Sequence, residues 1–508
     1  MTKHADSAKT GVSRRTLLGG GAATTLGIAL SGSLGPLARA SGVDHGRSNG
    51  ENGAAGGFDG YGPLQADPDG RLALPNGFHY TVVAETGVTL LDSGEPTPNF
   101  TDGSASFVRP GGDGVILITN HEVRNGLEFP FIGGVPQPPG LVYDPGAHGG
   151  TTTIEVDKHG NRVREYVSLA GTSTNCAGGK TPWSTWLSCE EVFSNPPGGG
   201  TTKQHGFVFE VDPYDVDAHL DPQPIRALGR FAHEAVAVDP DTGRIYETED
   251  ANAPHGLFYR WTPPAAALPL GKGSLRALGP TDGTLEAMRA RTASGAVVAD
   301  LCVATVPGTT YAVEWVSVLN RAGSPGAQVR SQFNLVPSAT NPSRDITRSR
   351  KLEGAWWADG GVYFVASFAR TTAPDLSAVA HDGQVWFHDP LASTIQLRLR
   401  FAYTSDNQDD DPDGPDNIAL SPYGGVILAE DGEGKQHLVG ATEDGQTYFL
   451  ARNEVGDGTA EMTGPNFSPD KDTLFANLFN PGATYAIMGP WKRQGGGGKP
   501  TPEETITP

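Results

Sequence analysis

Between residues 61 and 492 the apolar positions fall in short alternating runs, broken at close intervals by Gly, Pro, Asp and Asn. A period of two with this punctuation predicts many brief strands and argues against long helices. The 69 Gly and 40 Pro of the 508-residue chain supply the breaks. Residues 284 to 291 (Thr-Leu-Glu-Ala-Met-Arg-Ala-Arg) are the exception, a stretch whose spacing predicts a helix inside a small insertion.

A degenerate unit recurs within this pattern: an acidic or amide residue, an apolar strand, a turn, a second apolar strand, then another acidic or polar residue. It runs from His233-Glu234 to Glu249-Asp250, from Glu353 to Ser367, from Asp416-Asn417 to Glu430-Asp431 and from Asn466 to Asn477, with a looser copy from Asn175-Cys176 to Glu190-Glu191. Repeated hairpins across one long domain predict an all-β fold, a β-propeller of six blades with small helical insertions. A β-sandwich is the competing architecture. In an antiparallel hairpin the start of the first strand and the end of the second lie together, so Glu234 meets Glu249 and Asn417 meets Glu430. If these are inner strands of blades, their ends converge on the propeller axis. Carboxylates gathered there repel one another and are costly to desolvate, so cations are the natural compensation.

Composition and targeting sharpen the picture. Residues 1 to 40 read as a twin-arginine signal peptide: Arg14-Arg15, a weakly apolar stretch to about Leu34, and Ala38-Arg39-Ala40 as cleavage site. Its partner is the export machinery that carries folded proteins, and the destination is periplasmic or extracellular. Residues 41 to 60 form a flexible leader, residues 61 to 492 the propeller domain, and residues 493 to 508 a Gly-rich disordered tail. Residues 1 to 40 hold five Lys/Arg and one Asp, so the 37 basic and 58 acidic residues of the chain become 32 and 57, a formal charge of −25. Such a surface repels nucleic acid and anionic lipid. No second apolar run is long enough to span a membrane, and a monomer is expected. Three cysteines cannot form a disulfide framework; Cys176–Cys189 is the one open pairing.

Two local sequences point to metal chemistry. Asn120-His121-Glu122 leaves the end of a buried strand, so three metal-competent side chains emerge together. Cys176 stands in Thr-Asn-Cys-Ala-Gly-Gly-Lys-Thr-Pro-Trp, a Gly-rich turn able to hold a thiolate, and export in the folded state lets such a thiolate take a metal before oxidation. A Gly-x-Ser-x-Gly elbow at a strand-to-helix turn, a Walker loop and a dinucleotide fingerprint are all missing.

These residues carry a resemblance to the PhoX-type alkaline phosphatase family. Its motifs are Asn120-His121-Glu122, the stretch from Asn175-Cys176 through Trp183, Trp186 and Cys189 to Glu190-Glu191, Gly229-Arg230 with His233-Glu234, Glu249-Asp250, Asp416-Asn417 with Glu430-Asp431, and Gly464-Pro465-Asn466-Phe467-Ser468-Pro469-Asp470. The resemblance implies a propeller with ferric iron and calcium on its axis that hydrolyses small phosphate monoesters. It further implies Cys176, Glu249 and Glu353 as iron-side ligands, and Asn120, Glu122, Glu191, Asp250, Asn417 and Glu430 as calcium-side ligands. Lys351 and Arg230 would neutralise charge on the transferring phosphoryl group. The chain departs from the family's pattern where Lys351-Leu352-Glu353 replaces Arg-Pro-Glu and where Asn466 replaces Cys. Lysine keeps the charge but loses the two-pronged grip on phosphate. The alternatives are a calcium-dependent propeller hydrolase of lactonase or phytase type, which needs no thiolate, and a non-catalytic exported metal-binding protein.

Overall fold

The computed structural model describes residues 60–124, 133–251, 256–324, 327–368, 370–371, 378–379, 383–401 and 411–494. The export segment, nearly all of the leader and most of the tail lie outside the described residues. Within them every regular element is a strand or a short 3-10 turn. Six strands, Thr101–Val108, Asn175–Lys180, His233–Val238, Leu352–Ala358, Pro415–Leu420 and Met462–Phe467, pack each against the next, and the last returns to the first. They are the inner strands of a closed six-bladed ring. Two blades share one extended sheet because the outer strands Thr310–Ser317 and Thr394–Arg400 pair with each other.

The ring is shut by the start of the domain. His79–Glu85 is the outermost strand of the blade that begins at Met462, pairing with Ala483–Met488, and Leu72–Pro75 adds to the neighbouring blade beside Thr447–Asn453. Between blades the sheets pack face to face, with Leu187, Val208, Val236, Ile245 and Tyr259 in one layer and Leu72, Ile427, Leu450, Leu474 and Ile487 in another. Each such buried side chain contributes about 1.5–3 kcal/mol.

Thr284–Arg291 is a strand, not the helix its spacing predicts, and it lies between Gly256–Thr262 and Thr310–Ser317. Ladder pairing on both sides outweighs its good local helix formers. The small helical insertions reduce, among the described residues, to 3-10 turns.

All six inner strands share a device that the site depends on. Each makes one pair with its hairpin partner, or two in the strand from Met462, and then slips register, after Thr101, Asn175, His233, Leu352, Pro415 and Thr463. A bulge of this kind bends the strand and re-aims the residues within it. Those residues are Asp102-Gly103, Cys176-Ala177, Glu234-Ala235, Glu353-Gly354, Asp416-Asn417 and Gly464-Pro465. Five of the six bulges therefore place a carboxylate or thiol first and, in four of these, Gly or Ala second. The small second residue is required by proximity: a Cβ on Gly103 would lie 2.6 Å from the Cα of Ala177. Gly464, at φ +57°, would likewise bring a Cβ within 2.5 Å of the Asp102 carbonyl oxygen. The inner strands thus nearly touch around the axis.

Candidate metal centre

Residues of five bulges, the residues just beyond Val115–His121, Trp186–Glu190 and Val426–Glu430, and Glu461 just before Met462–Phe467 form one continuous acidic row. Its four overlapping groups are Asp102, Glu122 and Cys176; Cys176, Glu191 and Glu234; Glu234, Glu353 and Asp416; and Asp416, Asp431 and Glu461. Within each group the ligand atoms lie inside 4.8 Å of one another. Eight carboxylates and one thiol are thereby brought together, all but Glu191 buried. Cys176 Sγ stands 2.8 Å from Glu234 Oε1, linking the first half of the row to the second. Among the described residues, Arg124 donates to Glu122 Oε1 at 2.9 Å, and Lys351 Nζ lies 2.7 Å from Asp250 Oδ2 and 2.8 Å from Glu353 Oε1.

The row fits metal ions by its donor chemistry. Buried carboxylates this close are stable only with compensating positive charge, and oxygen-rich triplets suit a hard cation such as calcium. The single thiol provides one position where a softer transition metal is favoured. All three cysteines are free thiols, so Cys176 is not consumed by Cys189. Burial pushes the Cys189 thiol well above its ordinary value, leaving it an inert core group.

Of the residues expected from sequence, Cys176, Glu122, Glu191 and Glu353 join the row, and Asp250 is tied to it through Lys351. Glu234 and Glu249 do lie at one end of their hairpin, since His233 pairs with Glu249. Paired residues share a face, however, so Glu249 points with His233, away from Glu234. Its carboxylate takes Arg330 Nη1 at 2.6 Å, the Tyr259 hydroxyl at 3.0 Å and the Leu257 N–H at 3.2 Å. Burial raises its pKa, and Arg330 opposes that rise. Glu430, paired with Pro415, is turned away in the same manner and accepts from the N–H groups of Asp413 and His437 and from His437 Nδ1.

The two expected amides hold the bulges. Asn120 donates to the carbonyls of Cys176 and Ala177 at 3.0 and 2.7 Å, while its oxygen accepts from Trp186 Nε1 and Ser188 Oγ. Asn417 donates to Asp416 Oδ1 and accepts from the Gly464 N–H, joining two blades. Arg230 is not brought to the row. It is buried over the Phe193 ring and donates to the carbonyls of His205, Ser194 and Ala322 and to Asn195 Oδ1. The expected ligand set omitted Asp102, Glu234, Asp416, Asp431 and Glu461, although Glu234, Asp416 and Asp431 stood at the hairpin ends expected to converge. The available signal for Asp102, Glu234 and Asp431 was the recurring acidic-then-small dipeptide.

Behind Glu191 stands a buried relay. Glu190 accepts from the Ser173, Gly206 and Phe207 N–H groups and from His205 Nδ1 at 2.6 Å, while His205 Nε2 lies 3.2 Å from Asp144 Oδ2. Burial pulls the His205 pKa down, but Glu190 and Asp144 outweigh it and hold the imidazole above its ordinary 6.5. A raised folded-state pKa gives stabilisation that is complete below the unfolded value and lost as pH rises through the folded one. Thermal melts of the wild type should therefore decline over that alkaline-side window, and His205→Gln should flatten the decline. Superimposable pH profiles for the two proteins would refute this assignment.

A six-bladed propeller whose axial end carries a ligand-rich acidic row defines the class of propeller metalloprotein. The chain belongs to the alkaline phosphatase PhoX family, which matches it over residues 59–165 and 161–482. Membership makes it an alkaline phosphatase by family. Pseudomonas fluorescens PhoX, solved in complex with vanadate, a transition-state analogue, is similar in fold at 20% identity and a TM-score of 0.62, covering 85% of this chain and 98% of that one. A gluconolactonase of Xanthomonas campestris aligns at 11% identity and a TM-score of 0.31, over 81% of this chain and 100% of its own. No curated protein sequence matches the chain.

Proposed function

We propose that this protein is an exported, metal-dependent phosphatase that hydrolyses phosphate monoesters at the acidic end of its propeller, with iron and calcium as its metals. The observation that carries the reading is the continuous row of eight carboxylates and one thiol in a member of an alkaline phosphatase family. Cys176, with Glu191 and Glu234 beside it, is the site for iron, because a thiolate favours the softer metal. The all-oxygen groups around Asp416 suit calcium. When bound, the ions polarise the phosphoryl oxygens and furnish an activated oxygen nucleophile.

The chain's own residues supply the frame and the remaining charge. Glu190, Glu249 and Glu430 are occupied by hydrogen-bond donors that include His205, Arg330 and His437, so they hold the strand ends while the neighbouring Glu191 and Asp431 join the row and Asp250 meets it through Lys351. Lys351 and Arg124, ion-paired to carboxylates at the row, are the positive side chains that would meet a phosphate ester there. Lysine contributes attraction at a point and lacks the forked donor geometry of arginine, so turnover with Lys351 is expected to be modest. The twin-arginine segment at Arg14-Arg15 supports export after folding, to the periplasm or beyond.

The test is a substrate comparison on metal-loaded protein at alkaline pH. Hydrolysis of p-nitrophenyl phosphate should exceed that of bis(p-nitrophenyl) phosphate and of a simple lactone. A preference for the lactone, with no phosphate release, would transfer the protein to the calcium-dependent lactonase reading.

A further inference from the structure

We infer that Lys351 is a built-in cation of the acidic row, whose ammonium neutralises Asp250 and Glu353 where a metal ion would otherwise do so, and thereby limits how many ions the row takes. The ammonium lies 2.7 Å from Asp250 Oδ2 and 2.8 Å from Glu353 Oε1, bridging two carboxylates from different blades. All three side chains are almost fully buried, at 4, 5 and 1% exposure, so the charges meet with little screening from solvent.

The fold imposes this position. Lys351 holds a left-handed backbone at φ +47°, a conformation that a non-glycine residue keeps only when its surroundings require it. Its N–H donates to the Ala251 carbonyl and its own carbonyl accepts from the Ser367 N–H, fixing the residue from both sides. Glu353 Oε1 also accepts the Ser367 hydroxyl at 2.7 Å. A metal ion at the group of Glu234, Glu353 and Asp416 must therefore use the other oxygen of Glu353 or displace the ammonium. Arg124, at the Glu122 end of the row, differs in kind: its side chain is 19% exposed.

The inference rests on reading the row as a metal centre, and its test separates the two. Full mature protein is stripped with chelator and titrated with calcium chloride in a calorimeter, with bound metal counted by elemental analysis. Lys351→Met should bind one more divalent equivalent than wild type, or bind its weakest equivalent at least tenfold more tightly. Lys351→Arg should match wild type, and Lys351→Gln provides a second neutral variant should the methionine protein fail to fold. The stripped neutral variants should melt below stripped wild type, and the gap should close on loading. Equal counts and affinities in neutral variants and wild type would overturn the role of Lys351 while leaving the metal centre standing. Wild type that takes up no calcium would overturn both.

Discussion

Glu353→Ala is expected to cost on the order of 10³ in kcat/KM for a phosphate monoester, about 4 kcal/mol of transition-state stabilisation. Glu353 is shared between the central group of the row and the Lys351 ammonium, so the substitution removes a ligand and leaves the buried ammonium with Asp250 as its remaining carboxylate partner. Removing one of the two carboxylates that hold a buried cation is costly in itself, though less so than leaving the charge with none. Glu353→Gln separates the effects, because the amide keeps the volume and an acceptor for Lys351 but is a poor metal ligand. Both variants should lose metal, and only the alanine protein should also melt much lower. Glu249→Gln is the contrast: its carboxylate faces Arg330 and Tyr259, so it should lower the melting temperature and leave metal content unchanged. Metal loss in Glu249→Gln with retention in Glu353→Gln would reverse the assignment of these two glutamates.

The second large effect is at Cys176. Cys176→Ala should discard iron and keep most of the calcium, because it removes the one sulfur donor from a row otherwise made of oxygen. Activity should fall at least a hundredfold, and calcium supplied in excess should not restore it. Cys176→Ser tests whether the donor's softness matters beyond its presence, and should recover calcium-like binding at this position without iron. An active, calcium-only Cys176→Ala protein would remove iron from the account.

The sequence showed the hairpins and where their ends would meet, and it left hidden which residue of each adjacent pair faces the axis. Glu249-Asp250 and Glu430-Asp431 illustrate why. Alternation fixes facing only while pairing is regular, and the inner strands at His233 and Pro415 bulge directly after their first pair. The bulge sends Glu234 and Asp416 to the row, and pairing turns Glu249 and Glu430 behind it. Asn120 and Asn417 were recognised as important from their neighbours, but the four hydrogen bonds of Asn120 and the bond of Asn417 to Gly464 depend on strands distant in sequence. Arg230 shows the same limit, since its carbonyl partners come from separate loops. Cys176, Glu122, Glu191 and Glu353 were legible because a sulfur or carboxylate stood at a strand end in a recurring context. Thr284–Arg291 failed as a helix because the two strands flanking it are set by topology, which local spacing does not encode.

The central claim is that the axial row holds the metals on which phosphate monoesters are hydrolysed, and one measurement addresses it most directly. Protein exported by its own signal is purified, its metals are counted, and monoester turnover is followed through chelation and stepwise return of iron and calcium. The account predicts both metals in the active protein, loss of turnover as they are withdrawn, and recovery only when both are restored. Full turnover in protein emptied of metal, or bound metal with no turnover of any phosphate monoester, would contradict it.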